Sequence, residues 1–191
     1  EVRQTTIRDA RNLGLLPSVT VILRVLHKPA LQAYIQNQIL MSALTLPVMG
    51  EETTDAFAKR VLIDARQHAE SAASFGTRMH EHIEGRLGEG ILPILNSSDI
   101  PIIMGIDDWL EANPIVPIEL ERSYASQELG FGGRVDCVGK FQGEMALVDW
   151  KSQDPNNKER KFRHYPENAM QGAAYSMLLE QPNIPNYIIY I

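Results

Sequence analysis

The chain has 191 residues, 44% of them apolar and 22% charged, with a formal net charge of −6. That length accommodates one domain with a sizeable core. The acidic balance excludes a generally basic nucleic-acid coat, although acids that ligate a metal count as negative until the metal arrives. No apolar run approaches the roughly 20 residues of a membrane span, so no membrane partner is expected. The single cysteine, Cys137, excludes internal disulfides and any four-cysteine zinc or iron–sulfur site. Neither a secretory signal nor an Arg- and Ser-rich leader is recognisable, which points to the cytoplasm, or to the mitochondrial matrix if a leader ahead of Glu1 has been removed.

The first half has helical spacing throughout. Thr5 or Thr6 caps a short helix that Gly14 stops, and Ser18 caps a second after Pro17. Pro29 opens a third, in which Leu31, Tyr34, Ile35, Ile39 and Leu40 recur at helical intervals. After Pro47 and Gly50, Thr53 or Thr54 caps a long helical region with Phe57, Val61, Ala65 and Ala69 four apart. It is expected to bend near Gly76 and run on to Leu87. Ser98 caps a further helix with Ile102, Ile106, Trp109 and Leu110 on one face, ended by Asn113-Pro114.

The period then changes. Val116, Ile118 and Leu120 alternate with Pro117, Glu119 and Glu121, the pattern of a half-buried strand, with Pro117 favouring an edge. Residues 132–141 form a second strand, Gln142-Gly143 a tight hairpin turn and residues 145–150 a third strand. A basic loop covers residues 152–166, a helix residues 167–180 and a fourth strand residues 187–191. The order predicts an α/β fold, a single domain over 1–191. Its mainly helical part spans 1–113 and its β-β-β-α-β core spans 114–191, with a mixed central sheet flanked by helices. The strand running to Ile191 leads us to expect a C-terminal element beyond it.

Two acids stand out in the apolar strands. Asp136 follows Gly132-Gly133, and Asp149-Trp150-Lys151 ends the third strand. Side chains alternate along a strand, so Asp149 and Lys151 share a face. Two carboxylates can hold Mg²⁺ or Mn²⁺, with the Trp150 carbonyl as a further oxygen ligand, while Lys151 faces a scissile phosphate. Those are the groups metal-assisted phosphodiester hydrolysis needs. Glu119 and Glu121 share one face of the first strand, and Glu121 is the favoured third acid. His80 and Glu84 lie four apart on one helix face, so His80 can be a metal ligand with Glu84 orienting its ring. Gln171 and Tyr175 likewise share a face. Taken singly they fit core packing, and beside the acids they can contact a phosphate or the attacking water. Lys158, Arg160, Lys161 and Arg163, interleaved with Phe162 and Tyr165, suit a clamp on single-stranded DNA. Arg60, Arg66 and Arg78 can line the same path.

With these residues in hand, the chain resembles the PD-(D/E)XK nuclease superfamily in its RecB-like exonuclease branch. It is most similar to the mitochondrial genome maintenance exonuclease family and its bacterial and phage relatives. The resemblance rests on Leu16-Pro-Ser18-Val-Thr20, Gly76-x-x-x-His80-Glu-x-x-Glu84, Glu121, Gly133-x-x-Asp136-Cys, Gln142-Gly143, Asp149-Trp-Lys151 and Gln171-x-x-Ala-Tyr175, which occur in family order. In style the N-terminal stretch looks more like phage members than animal ones. Val135 stands where the superfamily's Pro would precede the first Asp. The resemblance implies an exonuclease that uses Mg²⁺ or Mn²⁺ and threads free ends of single-stranded DNA beneath a helical gateway. His80, Glu121, Asp136, Asp149 and Lys151 would be its active-site residues, Gln171 and Tyr175 supporting ones, and Ser18, Thr20 and the basic residues DNA contacts. A duplex exonuclease of recombination type, an endonuclease of the same superfamily and a catalytically silent DNA-binding module are the alternatives.

Overall fold

The computed structural model describes residues 7–26, 28–88, 92–152 and 164–191. The expected caps at Thr5 or Thr6 and the basic cluster Lys158, Arg160, Lys161 and Arg163 lie outside the described residues. The element order is α1 (Ile7–Asn12), α2 (Val19–Ile22), α3 (Pro29–Thr45), α4 (Thr54–Leu87), α5 (Ile100–Ala112), β1 (Ile115–Ser126), β2 (Phe131–Phe141), β3 (Glu144–Lys151), α6 (Pro166–Leu178) and β4 (Asn186–Tyr190).

The caps are largely the ones the sequence names. The Ser18 hydroxyl accepts from the Val21 N–H, and the Thr53 hydroxyl accepts from the Ala56 N–H. Ser18 starts a helix of only 4 residues, however, which passes into a 3₁₀ turn over Leu23–Val25. Helix α4 runs on through Gly76 as one element of 34 residues. Ser98 is not the cap of α5. Asp99 occupies that position with its own carboxylate engaged elsewhere, and Pro101 in the first turn supplies the start signal.

The four strands stand in the order β1-β2-β3-β4, so the mixed sheet has β1 at one edge, as Pro117 indicated. Strands β1, β2 and β3 are antiparallel, and β4 joins β3 in parallel after the α6 crossover. Gln142 and Gly143 both have positive φ, 51° and 87°, the conformation of a two-residue hairpin whose twist matches its strands. The alternation read in β1 is broken. The pairing shifts between Pro117 and Glu119, making Ile118 an extra residue, and Val116 and Ile118 lie outward, each 59% exposed.

Two cores form on opposite faces of the sheet. Met79 and Ile83 of α4 and Ile103, Ile106 and Leu110 of α5 pack on Cys137, Phe141, Val148 and Trp150. On the other face Val19, Tyr175, Leu178 and Ile184 pack on Val135, Val138 and Leu147. Helix α3 lies along α4. Its apolar side chains Leu31, Tyr34, Ile35 and Leu40 remain exposed rather than forming the buried face their spacing predicts.

Close approach between α6 and β2 depends on Gly133. A Cβ there would stand 2.4 Å from Cε1 of the buried Tyr175 ring, a rigid group with nowhere to move. Gly133→Ala is expected to destabilise the fold by about 1–3 kcal/mol, the range of core overpacking, measured by urea unfolding. A change within about 0.5 kcal/mol would contradict this packing.

Candidate active site

The ladder between β2 and β3 stops at the Cys137–Val148 pair, and beyond it the strands part. Into the gap points the Asp136 carboxylate, whose Oδ2 accepts the Trp150 N–H at 2.9 Å in place of a backbone partner. Past this point the segment ahead of α2 takes over beside β2, with Gly132 N–H donating to the Pro17 carbonyl and Ser18 bridged to Gly132. The parting leaves a place where side chains from both faces of the sheet can meet.

Helix α4 supplies His80, and its three faces are divided by role. Met79 and Ile83 enter the core. Arg78, His82 and Arg86, at four-residue spacing, tie the helix to α5 and the residue before it. The Arg78 guanidinium grips both Asp99 oxygens at 2.7 and 3.2 Å, and Asp107 Oδ1 lies 2.9 Å from both His82 Nε2 and Arg86 Nε. The Arg78 guanidinium holds the Asp99 carboxyl below the usual carboxylate range. His80 and Glu84 are left to face a cleft. Gly76, one turn earlier, lets α4 approach the end of β3, since a Cβ there would meet the Ser152 hydroxyl at 2.7 Å.

The His80 ring thereby reaches the acids: Nδ1 is 3.6 Å from Asp136 Oδ2 and 3.9 Å from Glu121 Oε1. Glu121, opposite Asp136 in the β1–β2 register, has φ of 49°, a conformation that costs a non-glycine residue energy and re-aims its side chain. Glu119 pairs instead with Arg122 at 3.1 Å, so of the two candidate acids Glu121 reaches the site. One ligand atom from each of His80, Glu121 and Asp136 lies within 4.8 Å of the others, a spacing that can enclose one cation.

Asp149 lies beside this set but deeper, 4% exposed, and its Oδ1 has no hydrogen-bond partner among the described residues. Its close partner is the Lys151 ammonium, 2.6 Å from Oδ2. Burial raises the Asp149 carboxyl, against the pull of Lys151. Burial, then the neighbouring Asp149 charge, raises Asp136 from 3.8 to about 6. For His80, burial opposes the charged ring, but Glu121 and Asp136 outweigh it and the net direction is upward. Three carboxylates thus face the Lys151 ammonium, the His80 imidazole and, at Glu121, the Arg134 guanidinium. Clustered, partly buried carboxylates, two of them with raised proton affinity, are a donor set that a divalent cation would satisfy.

From the other face α6 brings Gln171 and Tyr175. The Gln171 amide donates to the Tyr175 hydroxyl at 2.7 Å, leaving the phenolic proton free to be donated. Burial pushes the phenol up to about 12, so it stays neutral near pH 7.

Other expected residues stand apart from this cluster or are already engaged. Glu84 lines the cleft without a hydrogen bond to His80. Arg78 is committed to Asp99 and to the Ser74 hydroxyl, and Arg60 to Glu52 and the Pro47 carbonyl. Ser18 caps α2 and shares a hydrogen bond with Thr20 at 2.9 Å. Arg134 was not singled out in the sequence. Its Nε is 2.7 Å from Glu121 Oε2 and donates to the Glu121 carbonyl at 3.0 Å. The available signal was its place two residues before Asp136, the strand spacing that puts side chains on one face.

The family model of the PD-(D/E)XK nuclease superfamily matches residues 100–186, from α5 to the first residue of β4. Glu121, Asp136, Asp149, Lys151, Gln171 and Tyr175 fall within the match, while His80 and Glu84 lie ahead of it. No curated protein matches the chain. No described helix is long and apolar enough to cross a membrane.

The raised Asp136 carboxyl has a stability consequence whose sign is fixed. The folded protein binds that proton more tightly than the unfolded chain does. Its contribution is therefore complete below the ordinary carboxyl range and is lost as pH rises through about 6. In metal-free protein, Asp136→Asn is expected to be more stable than wild type by about 2 kcal/mol near neutral pH. The advantage should vanish by about pH 4. Urea unfolding across that range checks it, and an advantage independent of pH would contradict the burial argument.

Proposed function

We propose that this protein is a metal-dependent deoxyribonuclease that hydrolyses phosphodiester bonds from free ends, with single-stranded DNA as its substrate. The observation that carries the reading is the meeting of His80, Glu121 and Asp136 beside the Asp149–Lys151 pair at the place where β2 and β3 part. The superfamily match supports a nuclease that works with a divalent metal, and the donor chemistry suits Mg²⁺ or Mn²⁺. The basic segment with Lys158, Arg160, Lys161 and Arg163 and the hydroxyls of Ser18 and Thr20 are assigned to the DNA path on this reading. The whole chain acts as one nuclease domain, with residues 1–113 forming the approach to a catalytic core over 114–191. The setting is the cytoplasm of a bacterium or a phage-infected cell, in replication, repair or recombination.

In the proposed reaction water adds to phosphorus, the bond from phosphorus to the leaving ribose oxygen breaks, and the proton lost by the water is balanced by one taken up at that oxygen, which leaves as a hydroxyl. Asp136 and Asp149, with His80, Glu121 and the Trp150 carbonyl, would hold a divalent cation, whose charge would acidify a water and draw negative charge from the phosphate. Lys151 orients the attacking water and places a positive charge against the oxygens that gain negative charge in the transition state. Asp149 holds that ammonium in place. The neutral Tyr175 hydroxyl, supported by Gln171, is a donor to a phosphate oxygen or the water. Glu84 lines the same cleft one helical turn from His80.

The test is cleavage of end-labelled DNA with Mg²⁺ or Mn²⁺ on a linear single strand, a circular single strand and a blunt duplex. The expected result is digestion of the linear strand only. Lys151→Ala should bind DNA yet cleave about 10²–10³-fold more slowly, the usual loss when one preorganised charge-stabilising group is removed. Cleavage of the circle would mean endonuclease action, digestion of the duplex a recombination-type exonuclease, and wild-type rates in Lys151→Ala would overturn the site. Binding without any cleavage would indicate a silent DNA-binding module.

A further inference from the structure

The cleft outside the carboxylate cluster has a volume of about 400 Å³ and is walled by Gly76, Thr77, His80, Glu81, Glu84, Glu121 and Arg134, besides Ala73. Three of these residues are acids. Apart from the His80 ring, Arg134 is the cation among the residues lining it. A DNA strand reaching the acids through this opening carries one negative charge per phosphate, so the wall is repulsive except where Arg134 stands.

The Arg134 side chain is held at one end and free at the other. Its Nε is fixed by both the carboxylate and the carbonyl of Glu121. Neither terminal nitrogen has a hydrogen-bond partner among the described residues, and the side chain is 61% exposed. A guanidinium offers five N–H donors in a rigid fork. Anchoring Nε restricts the side chain, so little rotamer freedom remains to be lost when the outer edge takes up two anionic oxygens. The same anchor neutralises one oxygen of Glu121 and leaves Oε1 turned toward His80.

We propose that Arg134 is a DNA-phosphate-binding residue of this cleft, holding a backbone phosphate on the outer edge of its guanidinium while Nε keeps Glu121 in position. The inference rests on the nuclease reading above and adds a substrate contact to it. The phosphate is one adjoining the cluster, because Arg134 touches Glu121 and Glu121 faces His80. A lysine cannot do both tasks, since a single ammonium lacks the fork.

The test uses the full chain and a fluorescein-labelled DNA hairpin with a single-stranded thymidine tail. Its dissociation constant is measured by anisotropy across a range of salt, with Ca²⁺ in place of Mg²⁺ to permit binding with little cleavage. For Arg134→Ala, binding is expected to weaken about 5- to 30-fold, with the log–log salt slope falling by about one. Arg134→Lys should keep most of the slope, yet its cleavage rate with Mg²⁺ at saturating DNA should fall because Glu121 is no longer clamped. Circular dichroism melts confirm that both variants fold. An unchanged slope and affinity in Arg134→Ala would overturn the proposal whatever happens to cleavage, and a slower rate alone would confine Arg134 to positioning Glu121. If Arg134→Ala does not fold, Arg134→Gln, close in size and uncharged, replaces it with the same expected slope. Failure of the wild-type protein to bind or cut the hairpin would remove the nuclease reading itself, an outcome distinct from a normal wild type with an unaffected variant.

Discussion

Placing the half-buried Asp136 beside the buried Asp149 is the constraint around which the rest of this fold is arranged. Carboxylates taken out of water repel one another and lose hydration, and one ammonium from Lys151 does not balance them. A protein tolerates such a cluster when its surroundings are held rigidly and either a proton or some further positive charge relieves it. The rigid surroundings are visible: β2 and β3 are buried over most of their length, and the Trp150 N–H fixes Asp136 in the gap between them. The further charge is what a divalent cation would bring.

The long helix α4 solves a positioning problem. A histidine on an isolated helix could rotate or slide relative to a sheet. Here the turns that carry His80 are tied to α5 and its preceding residue by Arg78–Asp99 and by His82 and Arg86 on Asp107, and are packed through Met79 and Ile83. Gly76 sets the approach to β3. The ion pairs are partly buried, and their value lies in fixing the helix face that meets the carboxylates more than in net stability.

Much of this was legible in the sequence because it is local. Period, caps and turn residues located the strands, the Gln142-Gly143 hairpin and the start of α4 to within one residue, at Thr53 or Thr54. Asp149 and Lys151 followed from strand alternation, and the pair Gln171–Tyr175 from helical spacing. What sequence spacing left hidden depends on contacts between distant segments. The extra residue at Ile118 turns Val116 and Ile118 outward, and nothing in their apolar character foretells it. Asp99 rather than Ser98 begins α5, with its carboxylate drawn to an arginine 21 residues away. The left-handed backbone of Glu121, which separates it from Glu119, is stabilised by Arg134 across the sheet. The Trp150 N–H meets Asp136 only because the ladder ends one pair earlier.

The central claim is that these clustered acids form a cation site, and direct metal binding tests it without reference to activity. Mn²⁺ is titrated into the metal-free protein by calorimetry, near pH 6, in buffers of differing ionisation enthalpy. The account predicts saturable binding accompanied by proton release, since Asp136 carries a proton part of the time at about pH 6 in the absence of metal. Both the binding and the proton release should be lost in Asp136→Ala. Binding of equal strength in that variant, or no saturable binding in the wild type, would contradict it.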